Sequence, residues 1–142
     1  MGSGLSLKIP EADRTVETGR RFYQFHVERS QYHDSLDDYT PYRNFVRTLG
    51  ESDLFLIYHG INNDIVAAAP PGLREMLDEH TENGHRFTDR EGMEALSAWL
   101  EDARASLAAA DELDEGLDKT VSVCRHMIEF ALEHDYDVAY SF

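Results

Sequence analysis

Residues 117–140 read LDKTVSVCRHMIEFALEHDYDVAY, a helical pattern that passes directly into a strand pattern. One face of the predicted helix carries Leu117, Val121, Cys124, Ile128 and Ala131 or Leu132. Tyr136, Val138 and Tyr140 then alternate with other residues, as they do in a strand with one buried face. A helix that leads into a strand in this way is typical of a fold that mixes both elements.

The other end of the chain also predicts a strand. Leu5, Leu7 and Ile9 alternate with polar residues until Pro10 ends the run. The simplest closed arrangement is a sheet that joins the first and last strands, with helices packed on one face. We therefore expect one α+β domain over residues 1–142, with a small mixed or antiparallel sheet and about four helices.

Residues 20–29 fit two interpretations. Tyr23, Phe25 and Val27 alternate with polar residues and are aromatic or β-branched, which favours a second strand paired with the first. The alternative is a helix, because Phe22, Phe25 and Arg29 also share one helical face. We favour the strand.

The middle of the chain predicts three shorter elements. Thr40, as N-cap before Pro41, begins a helix that ends at Gly50. Residues 54–58 form an apolar run that suits a strand or a buried helical turn. Helical spacing returns over residues 73–84.

A long amphipathic helix is predicted next. Thr88 and Glu91 form a capping box at its start. Its apolar face carries Met93, Leu96, Leu100, Ala103, Leu107 and Ala110, with Trp99 on the flank. Residues 111–118 then form an acidic linker.

The charge of the chain is strongly negative. Thirteen Lys and Arg residues against 28 Asp and Glu residues give a formal net charge of −15. This balance excludes a basic nucleic-acid-binding domain and disfavours anionic lipid. The excess lies in residues 48–142, which suggests an acidic face that docks on a basic partner, with Asp111, Glu112, Asp114 and Glu115 as candidates. A GC-rich genome or a salt-rich cytoplasm would also produce such an excess of acidic residues.

The compartment is predicted from what the sequence lacks. No apolar run approaches the ~20 residues of a membrane span, and no signal peptide is recognisable. Cys124 is the only cysteine, so an internal disulfide is impossible. Cys124 lies on an apolar helical face about 200° away from His126, which predicts a buried, inert thiol rather than a nucleophile. We expect a cytoplasmic protein.

The most site-like segment is the polar stretch after residue 58. His59 and Asp64 could act as an acid–base pair, with Asn62 and Asn63 orienting a ligand. The simpler reading is that Gly60 and the asparagines only supply turn conformations. No dinucleotide or phosphate-binding glycine motif is present, so no cofactor is expected.

A second candidate lies on the last helix. His126, Glu129 and Glu133 share one face and could contribute to a carboxylate-rich metal site, or could form a solvated stripe. No histidine pair has the usual spacing of zinc ligands on a helix, so we expect no bound metal.

Aromatic residues interleaved with arginines in the first third of the chain suggest a protein-binding surface, with Tyr23 and Tyr32 as anchors. The leading hypothesis is therefore a small acidic protein-binding module, of the inhibitor or immunity type, and not an enzyme. One alternative is a small hydrolase or metalloenzyme that uses His59 and Asp64, or His126 and Glu129. Another is a salt-adapted or GC-adapted protein of unknown role.

Overall fold

The computed structural model describes residues 3–48, 56–61, 63–68, 75, 79, 81–82, 86–87 and 89–141. In chain order its elements are β1 (Ser3–Lys8), a 3-10 turn (Glu11–Asp13), α1 (Val16–Arg29), α2 (Thr40–Thr48), β2 (Leu56–Ile61), α3 (Asn63–Ala68), β3 (Thr81–Glu82), β4 (Arg86–Phe87), α4 (Arg90–Ala109), α5 (Glu115–His134) and β5 (Asp137–Ser141). The predicted α+β class, a small sheet with helices, is confirmed. Within the predicted helix over 73–84, residues 75 and 79 are helical, but residues 81–82 form β3, so the helix does not extend to residue 84; the other residues lie outside the described part of the chain.

The sheet joins the two ends of the described chain, as the sequence predicts. Its strand order is β2-β1-β5-β4-β3, and every described pair is antiparallel. Leu7 lies opposite Ile57 on β2 and Val138 on β5, and Val138 lies opposite Phe87 on β4. These four side chains are at most 1% exposed. They form an apolar row across four strands on the face that enters the core.

The two long helices pack against each other and against the sheet. Most of each predicted apolar face is buried: Leu96, Leu100 and Ala103 on α4, and Val121, Cys124 and Ile128 on α5. Ala110, the last residue of the predicted α4 face, is exposed and lies just beyond the helix. A period of 3.6 residues places these side chains on one stripe, so each helix buries its stripe against the other. The two long helices therefore form one packed pair.

Residues 20–29 are helical, and the predicted second strand is wrong. The helix α1 begins at Val16 because the Thr15 side chain accepts a hydrogen bond from the Thr18 amide at 3.1 Å. Its buried face is broad, since α1 contacts both α2 and α5. The alternating residues Tyr23, Phe25 and Val27 are therefore buried together with Phe22 and His26.

The segment after residue 58 also differs from the prediction. A turn was expected from His59 onwards, but β2 continues to Ile61. The main chain of β1 supplies the reason: Gly4 lies opposite Gly60, and Ser3 lies opposite Ile61, so the pairing extends to the end of the strand. Of the two interpretations of residues 54–58, the strand is the one observed from residue 56, and residues 54 and 55 lie outside the described part of the chain.

Both long helices begin differently from the prediction. Asp89 caps α4, because its side chain accepts from the Gly92 amide at 2.9 Å, and the predicted cap Thr88 lies outside the described residues. The acidic linker ends early, since Asp114 accepts from the Leu117 amide at 2.8 Å and α5 starts at Glu115. Carboxylates at a helix N-terminus satisfy its amides and its dipole, so an acidic run can open a helix.

Among the described residues, no helix combines the length and the apolar character that crossing a membrane requires.

Candidate functional site

A polar cavity of about 280 Å³ lies between α1, α4 and α5. Its lining is almost entirely polar: Arg29, Gln31, Tyr32, Glu101, Arg104, Asp118, Val121, Ser122, Arg125, His126 and Glu129. These residues come from the end of α1, the segment after it, and the facing sides of the two long helices. The cavity is therefore created by tertiary packing, and no contiguous motif encodes it.

The Asp118 carboxylate organises one wall of this cavity. It accepts hydrogen bonds from the Tyr32 hydroxyl, from Gln31 Nε2 at 3.3 Å and from Arg104 Nε. Burial alone would raise the pKa of Asp118, but the bonds from Tyr32 and Arg104 hold it below its usual range. Asp118 is thus a buried, charged acceptor that ties the segment after α1 to both long helices.

Glu101 organises a second part of the lining, joined to Asp118 through Arg104. Its two oxygens accept from Arg125 Nη1 at 2.9 Å and from Arg104 Nη1 at 3.3 Å. Arg125 lies on α5 whereas Glu101 and Arg104 lie on α4, so the carboxylate bridges the two helices. The guanidinium groups are consequently held in fixed orientations.

Two imidazoles meet at the inner end of the cavity. His26 Nδ1 and His126 Nδ1 are 2.7 Å apart, which requires one nitrogen to donate a proton and the other to accept it. Burial, followed by the charges of Arg29 and Arg125, lowers the pKa of His126 to about 4. His126 is therefore neutral at physiological pH.

A second cavity of about 290 Å³ lies on the other side of this histidine pair. His26, His33, Tyr39 and Lys119 are among its lining residues. The His33 and Tyr39 rings lie 4.5 Å apart between centroids, and the Tyr39 ring lies 5.2 Å from that of His26. Burial and then Lys119 lower the pKa of His33. The His26–His126 bond therefore joins two solvent-accessible spaces.

The cavity has the groups for two kinds of chemistry. A neutral imidazole can accept a proton, and guanidinium groups bind oxyanions. The described residues contain no group of three or more His, Cys, Asp or Glu placed to hold a metal ion.

The structure brings together two of the three proposed metal ligands. His126 and Glu129 line the 280 Å³ cavity, whereas Glu133 is exposed one turn further along α5 and is not part of its lining. Metal binding by these residues stays an untested alternative to the expected absence of a metal.

The proposed acid–base pair lies partly outside the described residues. His59 is a strand residue opposite Leu5, and its side chain lies outside the described part of the chain, as does the whole of Asn62. Asp64 is exposed in the first turn of α3.

The two proposed aromatic anchors have different surroundings. Tyr23 is only 4% exposed and packs against Tyr39, Tyr42 and Phe45, so it belongs to the core rather than to a binding surface. Tyr32 is half-buried, and its hydroxyl is committed to Asp118.

The acidic connection between α4 and α5 has a fixed backbone. Asp111 adopts a left-handed conformation with φ of 57°, and the Glu112 amide donates to the Leu107 carbonyl at 2.8 Å. This is the usual helix ending in which glycine is the preferred residue. The side chains of Asp111, Glu112, Asp114 and Glu115 are all exposed. The four predicted docking residues therefore occupy one short, ordered surface.

A third cavity, of about 480 Å³, adjoins this connection. Leu107 and Leu117 contribute apolar surface to it, with Ala67 and Ala68 of α3, whereas Glu112 and Asp64 contribute carboxylates. Asp64, a candidate acid–base residue in the sequence, lines this cavity together with Glu112.

Sequence reasoning missed Asp118, Arg104, Arg125 and His26. One signal was present, because Asp118, Ser122, Arg125 and Glu129 recur at helical spacing as a polar stripe beside the apolar face of α5. Glu101 and Arg104 form the matching pair on α4.

Comparison with protein-family models, curated proteins and solved structures finds no match for this chain. The function must therefore be inferred from the side chains themselves.

Proposed function

We propose that this chain is a non-enzymatic binding module that docks on a basic protein through an acidic patch. The acidic patch consists of Asp111, Glu112, Asp114 and Glu115, with Asp64 across the adjoining cavity. The observation that carries the proposal is the composition of that 480 Å³ cavity, which combines carboxylates with an apolar floor.

A lysine or arginine side chain of a partner fits such a cavity chemically. These side chains have an apolar stem and a charged head, and they bury the stem where the head can reach an acceptor. Leu107 and Leu117 would contact the stem, and Glu112 would accept from the head. Complementary charge of this kind accelerates association and disfavours acidic competitors.

The backbone at Asp111 supports the proposal. A residue other than glycine in the left-handed region costs about 1 kcal/mol or more. A negative charge at the C-terminus of a helix is also unfavourable, because the helix dipole is negative there. Glycine would relieve both effects, so an aspartate at this position keeps a charge at the expense of stability.

The order of the connection also favours docking. The Asp111 turn and the Asp114 cap fix the backbone between α4 and α5 before any partner arrives. Binding then requires less ordering of the chain, which leaves more of the interaction energy available as affinity.

The experiment compares two variants with equal net charge. The patch variant carries Asp111→Asn, Glu112→Gln, Asp114→Asn and Glu115→Gln, and asparagine retains the helix cap at position 114. The control variant neutralises four exposed carboxylates elsewhere: Glu91, Glu94, Asp102 and Glu133. Association of each with a fluorescent deca-arginine peptide is measured by stopped flow at 0.05 M and 0.5 M salt.

We expect the association rate of the patch variant to fall about tenfold at 0.05 M salt, and that of the control variant about twofold. For the unmodified protein, affinity should fall as salt rises. Equal losses in the two variants would show that only total charge matters, as expected for salt adaptation. Equal affinity at the two salt concentrations would rule out docking by charge.

A further inference from the structure

Three arginines line the 280 Å³ cavity of a chain that carries more than twice as many acidic as basic residues. Arg104 donates from Nε to Asp118 and from Nη1 to Glu101. Arg125 donates from Nη1 to Glu101 and from Nε to Ser97 Oγ at 3.4 Å. These bonds explain how the two guanidinium groups are oriented. They do not use all of the donors, because each guanidinium has five N–H groups.

Arg29 is held differently. Its Nη1 donates to the Phe25 carbonyl at 3.1 Å, and its guanidinium carbon lies 3.6 Å from the centre of the Phe25 ring. Stacking of this kind fixes the plane of a guanidinium and leaves its edge available to other acceptors.

The three side chains share one feature. Among the residues that the structure describes, no protein group accepts a hydrogen bond from Nη2 of Arg29, Arg104 or Arg125. We infer that this cavity binds a small oxyanion, namely the carboxylate or phosphoryl group of an organic acid or phosphate ester, through these three donors. Guanidinium groups fit both kinds of oxyanion geometrically.

The carboxylates of the cavity do not prevent this. Asp118 already accepts from three donors, and Glu101 accepts from two arginines, so both serve to orient cations. With Glu129, the lining carries three carboxylates and three guanidinium groups. Its formal charge is therefore zero while His126 is neutral. Selection would then depend on directed donors in a fixed arrangement rather than on net positive charge. The inferred site lies on other residues than the acidic patch and does not depend on that proposal.

The test is an NMR titration of the full chain with inorganic phosphate and, separately, with acetate. Chloride is exchanged for the probe so that ionic strength stays constant, because the acidic surface responds to salt. We expect saturable shifts of the amides of residues 29–32 and 122–126. Saturation with phosphate alone assigns the site to phosphoryl groups, saturation with acetate alone assigns it to carboxylates, and either result supports the inference.

Three variants make the result specific. Arg29→Gln and Arg125→Gln should each raise the dissociation constant of the responding anion about tenfold, the loss expected for one charge-assisted hydrogen bond. Arg20→Gln removes an exposed arginine from the same helix as Arg29. It should change the dissociation constant of the responding anion less than about twofold. If Arg125→Gln does not fold, Arg29→Gln decides, since the Arg29 side chain is 43% exposed and its ion pair is with Glu28 on the same helix. Equal effects in Arg20→Gln and Arg29→Gln, or no saturable shift with either anion, would overturn the inference.

Discussion

The hydrogen bond between His26 and His126 makes the stability of the fold depend on pH. The bond needs an unprotonated acceptor, and His126 faces Arg29 and Arg125, which oppose a further positive charge. The pKa of His126 is about 4 in the folded chain against 6.5 for an ordinary histidine. The unfolded chain therefore binds a proton at a higher pH than the folded chain. The contribution of His126 is complete above pH 6.5 and is lost as the pH falls from 6.5 towards 4.

The magnitude follows from the difference between the two pKa values. At 1.36 kcal/mol for each pKa unit, this difference corresponds to at most about 3 kcal/mol. The His126 side chain is only partly buried, so solvent screening reduces the expected loss to about 1.5–2 kcal/mol. Measurements restricted to pH values above 4.5 also avoid the protonation of Asp118, whose pKa lies below its usual range.

The assay is urea unfolding at several pH values between 7 and 4.5, at constant salt. His126→Asn keeps a hydrogen-bonding group near the position of Nδ1 but cannot titrate. Its free energy of unfolding should fall by about 1.5–2 kcal/mol less over this range than that of the unmodified protein. His134→Asn, on the exposed side of the same helix, keeps both paired imidazoles and serves as the control. If His126→Asn and the unmodified protein have the same pH dependence, this reasoning is wrong.

Three further outcomes are expected. Leu100 is fully buried, so Leu100→Ala should lower the free energy of unfolding by ~2–5 kcal/mol in urea titrations, and a loss below ~1 kcal/mol would contradict its place in the core. The thiol of Cys124 is fully buried, and burial raises its pKa to about 12, so Ellman's reagent should react slowly in native protein and fast in urea. Gly19→Ala would place a methyl group within the Phe45 ring and should speed amide exchange in α2, whereas Gly116→Ala, with only a contact of 3.3 Å to a side-chain oxygen, should not.

The long elements could be predicted because each carries its signal in consecutive residues. The stripe from Leu117 to Ala131 has a single period, and so has the alternation from Leu5 to Ile9. Residues 20–29 could not be assigned in this way. Their apolar side chains satisfy both periods, and only packing against α2 and α5 makes the helix the better solution.

The site was harder to predict because its partners are distant in the sequence. Tyr32 bonds to Asp118, and His26 bonds to His126, across 86 and 100 residues respectively. Nothing near residue 26 or 32 indicates which side chain of α5 will lie opposite. The exposed carboxylates at 111–115 were predictable, because an acidic connection between two amphipathic helices is expected to face solvent.

The pairing of β1 with β5 has a consequence for the order of folding. Leu7 and Val138 lie opposite each other, so closing this strand pair fixes two points separated by nearly the whole chain. Such a closure is entropically costly and slow, whereas α4 and α5 can associate through a short connection. During synthesis, β1 and β4 are made before β5, the strand that lies between them in the sheet. Until β5 is made, neither strand can form that pairing. A chain truncated before residue 137 would leave β1 and β4 each with an unpaired edge, which favours chaperone binding and aggregation.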